Sequence, residues 1–111
     1  MREKSYNKKS FEYTSPTGVK TTLYSIGELA DRLGRSPQTV RKWEIGGILP
    51  PTPFKISRVR YYSEEHIQLI VESAEKSKIK VGKAINDTQF SSRCYKGFEE
   101  LNKLFFGGKE E

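Results

Sequence analysis

The spacing of hydrophobic residues predicts a short amphipathic helix in the segment SIGELADRLG. Its apolar residues recur at helical intervals and share one face: Ile26, Leu29, Ala30 and Leu33. Ser25 precedes this run and Glu28 follows three residues later, which is the composition of a capping box. Gly34 suits the C-terminal cap, so the helix is expected to end there.

A second short helix is predicted from Pro37 to about Ile45. Ser36 is a good N-cap, and proline is tolerated at the first helical position because no N–H bond is lost there. Val40 and Trp43 are three residues apart and should face inward, while Gly46 and Gly47 end the helix. The residues left facing outward are Gln38, Thr39, Arg41 and Lys42. Two short helices joined by about three residues form a helix-turn-helix.

Two further stretches have the composition of strand pairs. In FEYTSPTGVKTTLY, two β-prone runs flank the turn sequence from Ser15 to Gly18, which predicts a β-hairpin or an extended arm. Three prolines within residues 50–53 exclude a helix there. The following FKISRVRYY alternates apolar and polar residues around Ser57 and Arg58, which predicts two short strands forming a small wing.

Helical periodicity returns in the last part of the chain. Ser63 is expected to cap a third helix from 64 to about 78, whose apolar face consists of Ile67, Ile70, Val71 and Ala74. A fourth helix is predicted over 92–106, capped by Ser91 or Ser92 and terminated by Gly107. Its inward residues are predicted to be Tyr95, Phe98, Leu101, Leu104 and Phe105.

These elements predict a mainly α protein: a winged helix-turn-helix with a small β-wing, an N-terminal β-hairpin or arm and a C-terminal helix. A chain of 111 residues favours one compact domain. The predicted divisions are a disordered basic tail (1–10), the hairpin or arm (11–24), the winged helix-turn-helix (25–78), a C-terminal helical extension (79–106) and a tail (107–111).

The charge of the chain is concentrated in one stretch. The formal net charge is +6, and residues 35–60 contain six basic residues against Glu44 alone. The following stretch, 61–78, contains four acidic and two basic residues. The protein is therefore expected to have one basic side, which is typical of a surface that binds the phosphates of nucleic acid.

The remaining composition narrows the class of protein. Hydrophobic residues are 34% of the chain and charged residues 31%, and no apolar run is long enough to span a bilayer or to act as a secretory signal. Cys94 and His66 are each single, so neither a disulfide nor a zinc site is expected. No catalytic or phosphate-cradling motif is present, which predicts a non-enzymatic cytoplasmic protein without a cofactor.

The segment YSIGELADRLGRSPQTVRKWEIGGILPP, followed by RYYSEEHI, resembles the MerR-type winged-helix DNA-binding domain. Excisionases and some phage packaging proteins share this domain, and the resemblance covers roughly residues 23–75. It implies a bacterial or phage protein associated with the nucleoid. It also implies that the second helix enters the major groove and that the wing lies along the neighbouring backbone or minor groove.

The resemblance also implies which residues contact DNA. Arg41 matches the arginine of the family's helix motif and is the first choice for a base or adjacent phosphate contact. Lys42 stands where the family often has an aromatic residue, and Arg60 and Tyr62 match the wing-closing Arg and Tyr. The full set of predicted DNA-binding residues is Gln38, Thr39, Arg41, Lys42, Lys55, Ser57, Arg58, Arg60 and Tyr62.

Three functions are compatible with these features. The first is a sequence-specific double-stranded DNA-binding protein, in particular a small transcriptional regulator. The second is an architectural DNA-binding factor, excisionase-like or phage packaging-like. The third, from another class, is a protein-interaction adaptor that docks through the helix YKGFEELNKLFF. A homodimer, a cooperative multimer and a protein partner bound by that helix all stay open.

Four single residues have a structural interpretation. Trp43 is expected in the core, and so is one of the neighbouring pair Tyr61 and Tyr62. Cys94 is expected to pack among the aromatic residues of the last helix. His66, at the start of an acidic helix, is expected to be a surface or capping residue.

Overall fold

The computed structural model describes residues 10–77 and 88–107. Within these ranges the elements follow the chain in this order: β1 (Ser10–Thr14), β2 (Lys20–Ser25), α1 (Ile26–Leu33), α2 (Pro37–Ile45), β3 (Phe54–Ile56), β4 (Val59–Ser63), α3 (Glu64–Lys76) and α4 (Thr88–Phe106). The predicted fold class is confirmed: helices dominate, with a small antiparallel sheet and a C-terminal helix.

The hairpin and the wing are parts of one sheet. The strand order is β1-β2-β4-β3 with antiparallel neighbours. The central pairing joins β2 to β4, with Tyr24 opposite Tyr62. The sequence predicted the two hairpins separately, and their union gives the wing a broad base within the described part of the protein.

The two faces of this sheet contribute to two different cores. Tyr24 and Tyr62 point to one face, where Tyr62 joins the buried cluster formed with α1, α2 and α3. Leu23 points to the opposite face and forms a second buried cluster with Phe54 and Phe105. The sheet therefore lies between the helix-turn-helix on one side and the end of α4 on the other.

The turn between α1 and α2 is set by local backbone chemistry. Gly34 adopts a left-handed φ of 70°, and Arg35 N–H donates to Ala30 O at 2.9 Å. Ser36 then caps α2 by accepting a hydrogen bond from Thr39 N–H at 3.2 Å. Pro37 takes the first helical position, as the sequence predicted.

The Ser25 half of the predicted capping box of α1 is absent. Ser25 occupies the N-cap position, but its side chain makes no capping hydrogen bond. Glu28 also forms an ion pair with Arg32, one turn further along, with a distance of 2.9 Å between Arg32 Nε and Glu28 Oε2. Ser25 is also the last residue of β2, so its conformation is set by the sheet.

The helix α4 differs from its prediction in its start and in its inward face. It begins at Thr88, so Ser91 and Ser92 lie inside the helix and do not cap it. Its buried residues are Phe90, Cys94, Phe98 and Phe105, whereas Tyr95 and Leu104 are exposed. Spacings of four, four and seven residues place the buried set on one stripe. The predicted packing role of Cys94 is confirmed, and the aromatic stripe packs onto this chain's own core.

His66 was expected to be a surface or capping residue; it is buried, so the surface alternative is wrong, while its N–H donates to the N-cap Ser63 Oγ at 2.9 Å. Its Nδ1 lies 2.6 Å from Ser63 Oγ, and its Nε2 lies 3.0 Å from Asn102 Oδ1 on α4. The rings of Phe54 and Phe98 pack against it edge-on. His66 therefore links α3, the sheet and α4 at the junction of the two cores.

Parts of the predicted tails lie outside the described residues. These are residues 1–9 and 108–111, as well as the stretch 78–87 before α4. Ser10, assigned to the tail from the sequence, is the first residue of β1, and Gly107 ends α4 with a φ of 76°. In the two described ranges, no helix has the length and apolar character needed to cross a membrane.

Candidate nucleic-acid interface

The outer face of α2 presents polar and basic side chains to solvent. Gln38, Arg41 and Lys42 are exposed, while Val40 and Trp43 on the opposite side are buried, as the sequence predicted. This division follows directly from the helical period of the segment. The helix has nine residues and is therefore about 13 Å long, and the diameter of an α-helix with its side chains, about 10 to 12 Å, suits the width of a DNA major groove.

Thr39 has a local role in this helix as well as a place near the interface. It is half-buried, and its Oγ1 lies 3.1 Å from Ser36 Oγ. Together with the hydrogen bond from Thr39 N–H, this contact organises the first turn of α2. Substituting Thr39 would therefore disturb the helix start as well as any contact with DNA.

The wing presents its most unusual backbone at its tip. Ile56 is paired with Val59, so Ser57 and Arg58 form a two-residue loop, and both have positive φ values, 51° and 69°. Positive φ at both central positions is the pattern of a type I′ turn, which favours Asn and Gly. The described chain has no other non-glycine residues with positive φ. Backbone strain therefore falls on the exposed Arg58 and on its neighbour Ser57.

A groove lies between α2 and the wing. It is lined by Pro37 and Arg41 from α2, by Arg58, Val59 and Arg60 from the wing, and by Ser25 and Ile26. Arg41 also lines a second concavity, further along α2, with Gln38, Lys42 and Ile45. Three predicted site residues thus meet in one groove, and Arg41 lies between the groove and the open face of the helix.

Arg60 is held by an acidic residue that the sequence analysis did not assign to the site. Its Nε lies 2.6 Å from Glu44 Oε1, and the other carboxylate oxygen of Glu44 accepts a hydrogen bond from Thr52 N–H at 3.0 Å. The Glu44 side chain is 5% exposed and that of Arg60 36%. Part of the charge of Arg60 is therefore neutralised inside the protein. The signal in the sequence was the single acid within a basic stretch.

Tyr62 does not face the groove, which contradicts its predicted contact with DNA. It is only 1% exposed, because its position on β4 turns the ring into the core beneath α1 and α2. Burial raises the pKa of the hydroxyl, and the nearby charge of Glu44 raises it further. The half-buried neighbour Tyr61 lies on the other face of the sheet and packs edge-on against Phe11, with ring centroids 5.0 Å apart.

The remaining predicted residues lie where the sequence analysis expected them. Lys55 is exposed on β3, opposite Arg60, and Ser57 and Arg58 are exposed at the wing tip. Arg35, just before α2, lies over the indole of Trp43 at 5.2 Å from the ring centroid. The exposed basic residues of α2 and the wing are thus Arg41, Lys42, Lys55 and Arg58.

Two short helices joined at Gly34, followed by a two-stranded wing that closes a groove against the second helix, define a winged helix-turn-helix domain. Residues 24–72 match the family model described as MerR HTH family regulatory protein. This match supports a MerR-type helix-turn-helix domain in this segment, and the MerR family is one of DNA-binding regulatory proteins. Neither the curated proteins nor the solved structures gave a significant match.

Proposed function

We propose that this protein binds double-stranded DNA in a sequence-specific manner and acts as a small transcriptional regulator. In this proposal α2 enters the major groove and the wing follows the neighbouring backbone. The observation that carries the proposal is the groove in which Arg41 of α2 meets Arg58 and Arg60 of the wing. Two separate elements thus direct positive charge into one opening of the molecule.

The proposed contacts divide into two kinds. Gln38 and Arg41 belong to the open face of α2, and these side-chain types form bidentate hydrogen bonds with adenine and guanine respectively. Lys42, Lys55 and Arg58 supply charges suited to phosphates. Each phosphate contact adds about 0.9 to the slope of log K against log salt, so three contacts give a slope of about −3. Arg60 contributes less to this salt slope, because Glu44 already pairs with it.

The α4 helix supports a compact DNA-binding module. Its buried stripe packs against the helix-turn-helix core and against the sheet, with Phe90 edge-on to Trp43 and Phe105 edge-on to Phe54. Trp43 lies directly beneath the exposed face of α2. The packing of α4 therefore supports the position of the helix that we propose to read DNA.

The experiment that tests this function is selection of a randomised duplex library on the purified full chain at about physiological salt. We expect retained duplexes to share a short motif. Two copies of the motif at a fixed spacing would indicate that two protein molecules bind together. Retention without an enriched motif would favour the architectural alternative. Absence of retention would overturn the proposal and favour the adaptor that docks through α4.

Arg41→Ala is the most informative variant for this experiment. It should weaken binding to the selected duplex by more than it weakens binding to random DNA, since a base contact is lost in addition to a charge. Lys96→Ala is the matched control, because it removes one exposed positive charge from α4. Equal losses for Arg41→Ala on both duplexes would assign Arg41 to phosphate alone.

A further inference from the structure

Ile45 is an apolar side chain at an unusual place on the surface. It is the last residue of α2 and is 74% exposed, the highest value among the exposed large hydrophobic residues in the described part of the chain. Every other strongly apolar residue of α2 is buried, namely Val40 and Trp43. When a partner covers a side chain of this kind, the free energy of the system falls because apolar surface is removed from water.

The position of Ile45 places it on the face that we propose to read DNA. One shallow concavity is lined by Gln38, Arg41, Lys42 and Ile45. The last three follow Gln38 by three, four and seven residues, so all four lie on one face of the helix. The three polar members supply hydrogen-bond donors, and Gln38 also supplies an acceptor. Ile45 adds an apolar group to the same surface.

The chain beyond Ile45 leaves this end of α2 open. Gly46 and Gly47 follow it, and a Cβ placed on Gly47 would meet no atom within 4 Å. Gly47 has a φ of 84°, which turns the backbone away from the helix axis. Its carbonyl accepts a hydrogen bond from Tyr95 O–H at 3.1 Å, so the turn is attached to α4. A duplex could therefore approach Ile45 without meeting a neighbouring side chain from these two residues.

We propose that Ile45 contacts the 5-methyl group of a pyrimidine in the major groove, which in unmodified DNA is the methyl of thymine. This inference rests on the proposed function and deepens it. The methyl group of thymine is the apolar feature that a base pair presents in the major groove, and aliphatic side chains are suited to it. Ile45 thus contributes to the choice between thymine and the other bases.

The test measures dissociation constants for the selected duplex with single thymines replaced by deoxyuridine, which removes only the methyl group. At one position in each motif the substitution should weaken binding of the unmodified protein about fourfold, the effect of one buried methylene-sized group. The same substitution should change the affinity of Ile45→Ala less than twofold. Replacing cytosines by 5-methylcytosine forms a second arm, which would identify a methylated cytosine as the source of the methyl.

Leu104→Ala is the matched control, since Leu104 is another exposed aliphatic residue, located on α4. This variant should keep the full deoxyuridine effect. The inference is overturned if neither arm has a methyl-sensitive position, or if the methyl effect persists unchanged in Ile45→Ala. In both cases the unmodified protein still binds its selected duplex, so the proposed function stands. If the protein retains no duplex in the selection, both the proposed function and the inference about Ile45 fail.

Discussion

Glu44 on α2 and Arg60 on β4 form an ion pair, with 2.6 Å between Oε1 and Nε, that joins α2 to the wing. The second oxygen of Glu44 accepts a hydrogen bond from Thr52 N–H in the proline-rich connection between them. Thr52 Oγ1 in turn donates to Tyr61 O on β4. One carboxylate therefore connects α2 both to the wing and to the segment between them.

The first prediction concerns the stability that this pair provides. Arg60→Met should lower the free energy of unfolding by about 1 to 3 kcal/mol, because it leaves the buried carboxylate of Glu44 without its charged partner. The measurement is urea denaturation at neutral pH. Glu44→Gln combined with Arg60→Met should lose less than the sum of the two single variants. Strict additivity would show that the pair contributes nothing to the fold.

The second prediction concerns the strained turn at the wing tip. Replacing Ser57 by Asn and Arg58 by Gly should raise the free energy of unfolding by about 1 kcal/mol, since these residues adopt positive φ more readily. DNA affinity should fall, and the salt slope should become shallower by about one unit as one phosphate contact is lost. Denaturation and salt titration are measured on the same variant.

Ser57→Asn alone is the control for the turn variant. It should increase stability by a smaller amount and leave the salt slope unchanged, because Arg58 remains. If the double variant were less stable than the unmodified chain, the positive φ values would carry no cost and the argument from strain would fail.

The third prediction concerns the contact between the N-terminal hairpin and the last turn of α4. Thr17 Oγ1 lies 2.7 Å from Leu104 O and 2.9 Å from Phe105 O, so its hydroxyl caps the C-terminal end of this helix. Thr17→Val should lower the free energy of unfolding by about 1 kcal/mol. Thr14→Val, the same change on exposed β1, should have no comparable effect.

Hydrogen exchange on the two threonine variants locates the effect. Thr17→Val should speed exchange in the last turn of α4, while the amides of α2 keep their protection. Unchanged exchange at the end of α4 would contradict the capping role of Thr17.

The elements that the sequence predicted well are those with strong local signals. The bounds of α2 follow from Ser36, Pro37 and Gly46, each of which acts within one turn of the helix. The wing turn follows from the pairing of Ile56 with Val59 on either side of two polar residues. These features depend on the backbone near each residue, so a pattern of neighbours is enough to predict them.

The features that the sequence missed depend on residues far apart in the chain. The pairing of Tyr24 with Tyr62, which unites hairpin and wing, has no local signature. His66 reads as a polar residue at a helix start, yet α4 covers it and Asn102 provides a hydrogen-bond partner. The alternation of side chains along a strand predicts that Tyr61 and Tyr62 face opposite sides of the sheet. Only the register of β4 decides that Tyr62 is the buried one.

The fourth prediction is a loss of stability in mild acid that originates at His66. Burial lowers the pKa of its imidazole, while the hydrogen bond to Asn102 and the charge of Glu65 oppose this shift. Nε2–H donating to Asn102 Oδ1 leaves Nδ1 to accept from Ser63 O–H, which is the neutral form of the ring. The folded protein therefore takes up a proton at lower pH than the unfolded chain does.

The sign of the effect follows from this difference in proton uptake. Above the unfolded pKa of about 6.5 both states carry a neutral imidazole, and the stability contributed by the buried ring is complete. As the pH falls below 6.5 the unfolded chain binds a proton first, so the free energy of unfolding decreases until the folded pKa is reached. The slope approaches about 1.4 kcal/mol per pH unit. Urea denaturation between pH 8 and pH 5 measures it.

His66→Gln separates this histidine from the acidic residues that titrate at lower pH. The variant should be less stable at neutral pH, because the packing and hydrogen bonds of the imidazole are altered, but its stability should vary little between about pH 6.5 and pH 5. The hydrogen bonds from Arg32 hold the pKa of Glu64 at about 2, so the loss of that ion pair belongs to more acidic solutions. An equal slope in the variant and in the unmodified chain would assign the acid sensitivity to groups other than His66. If only the unmodified chain shows this slope, protonation of the buried His66 ring destabilises the protein. The ring contacts α3, the sheet and α4, so the packing of these three elements would be what protonation disturbs.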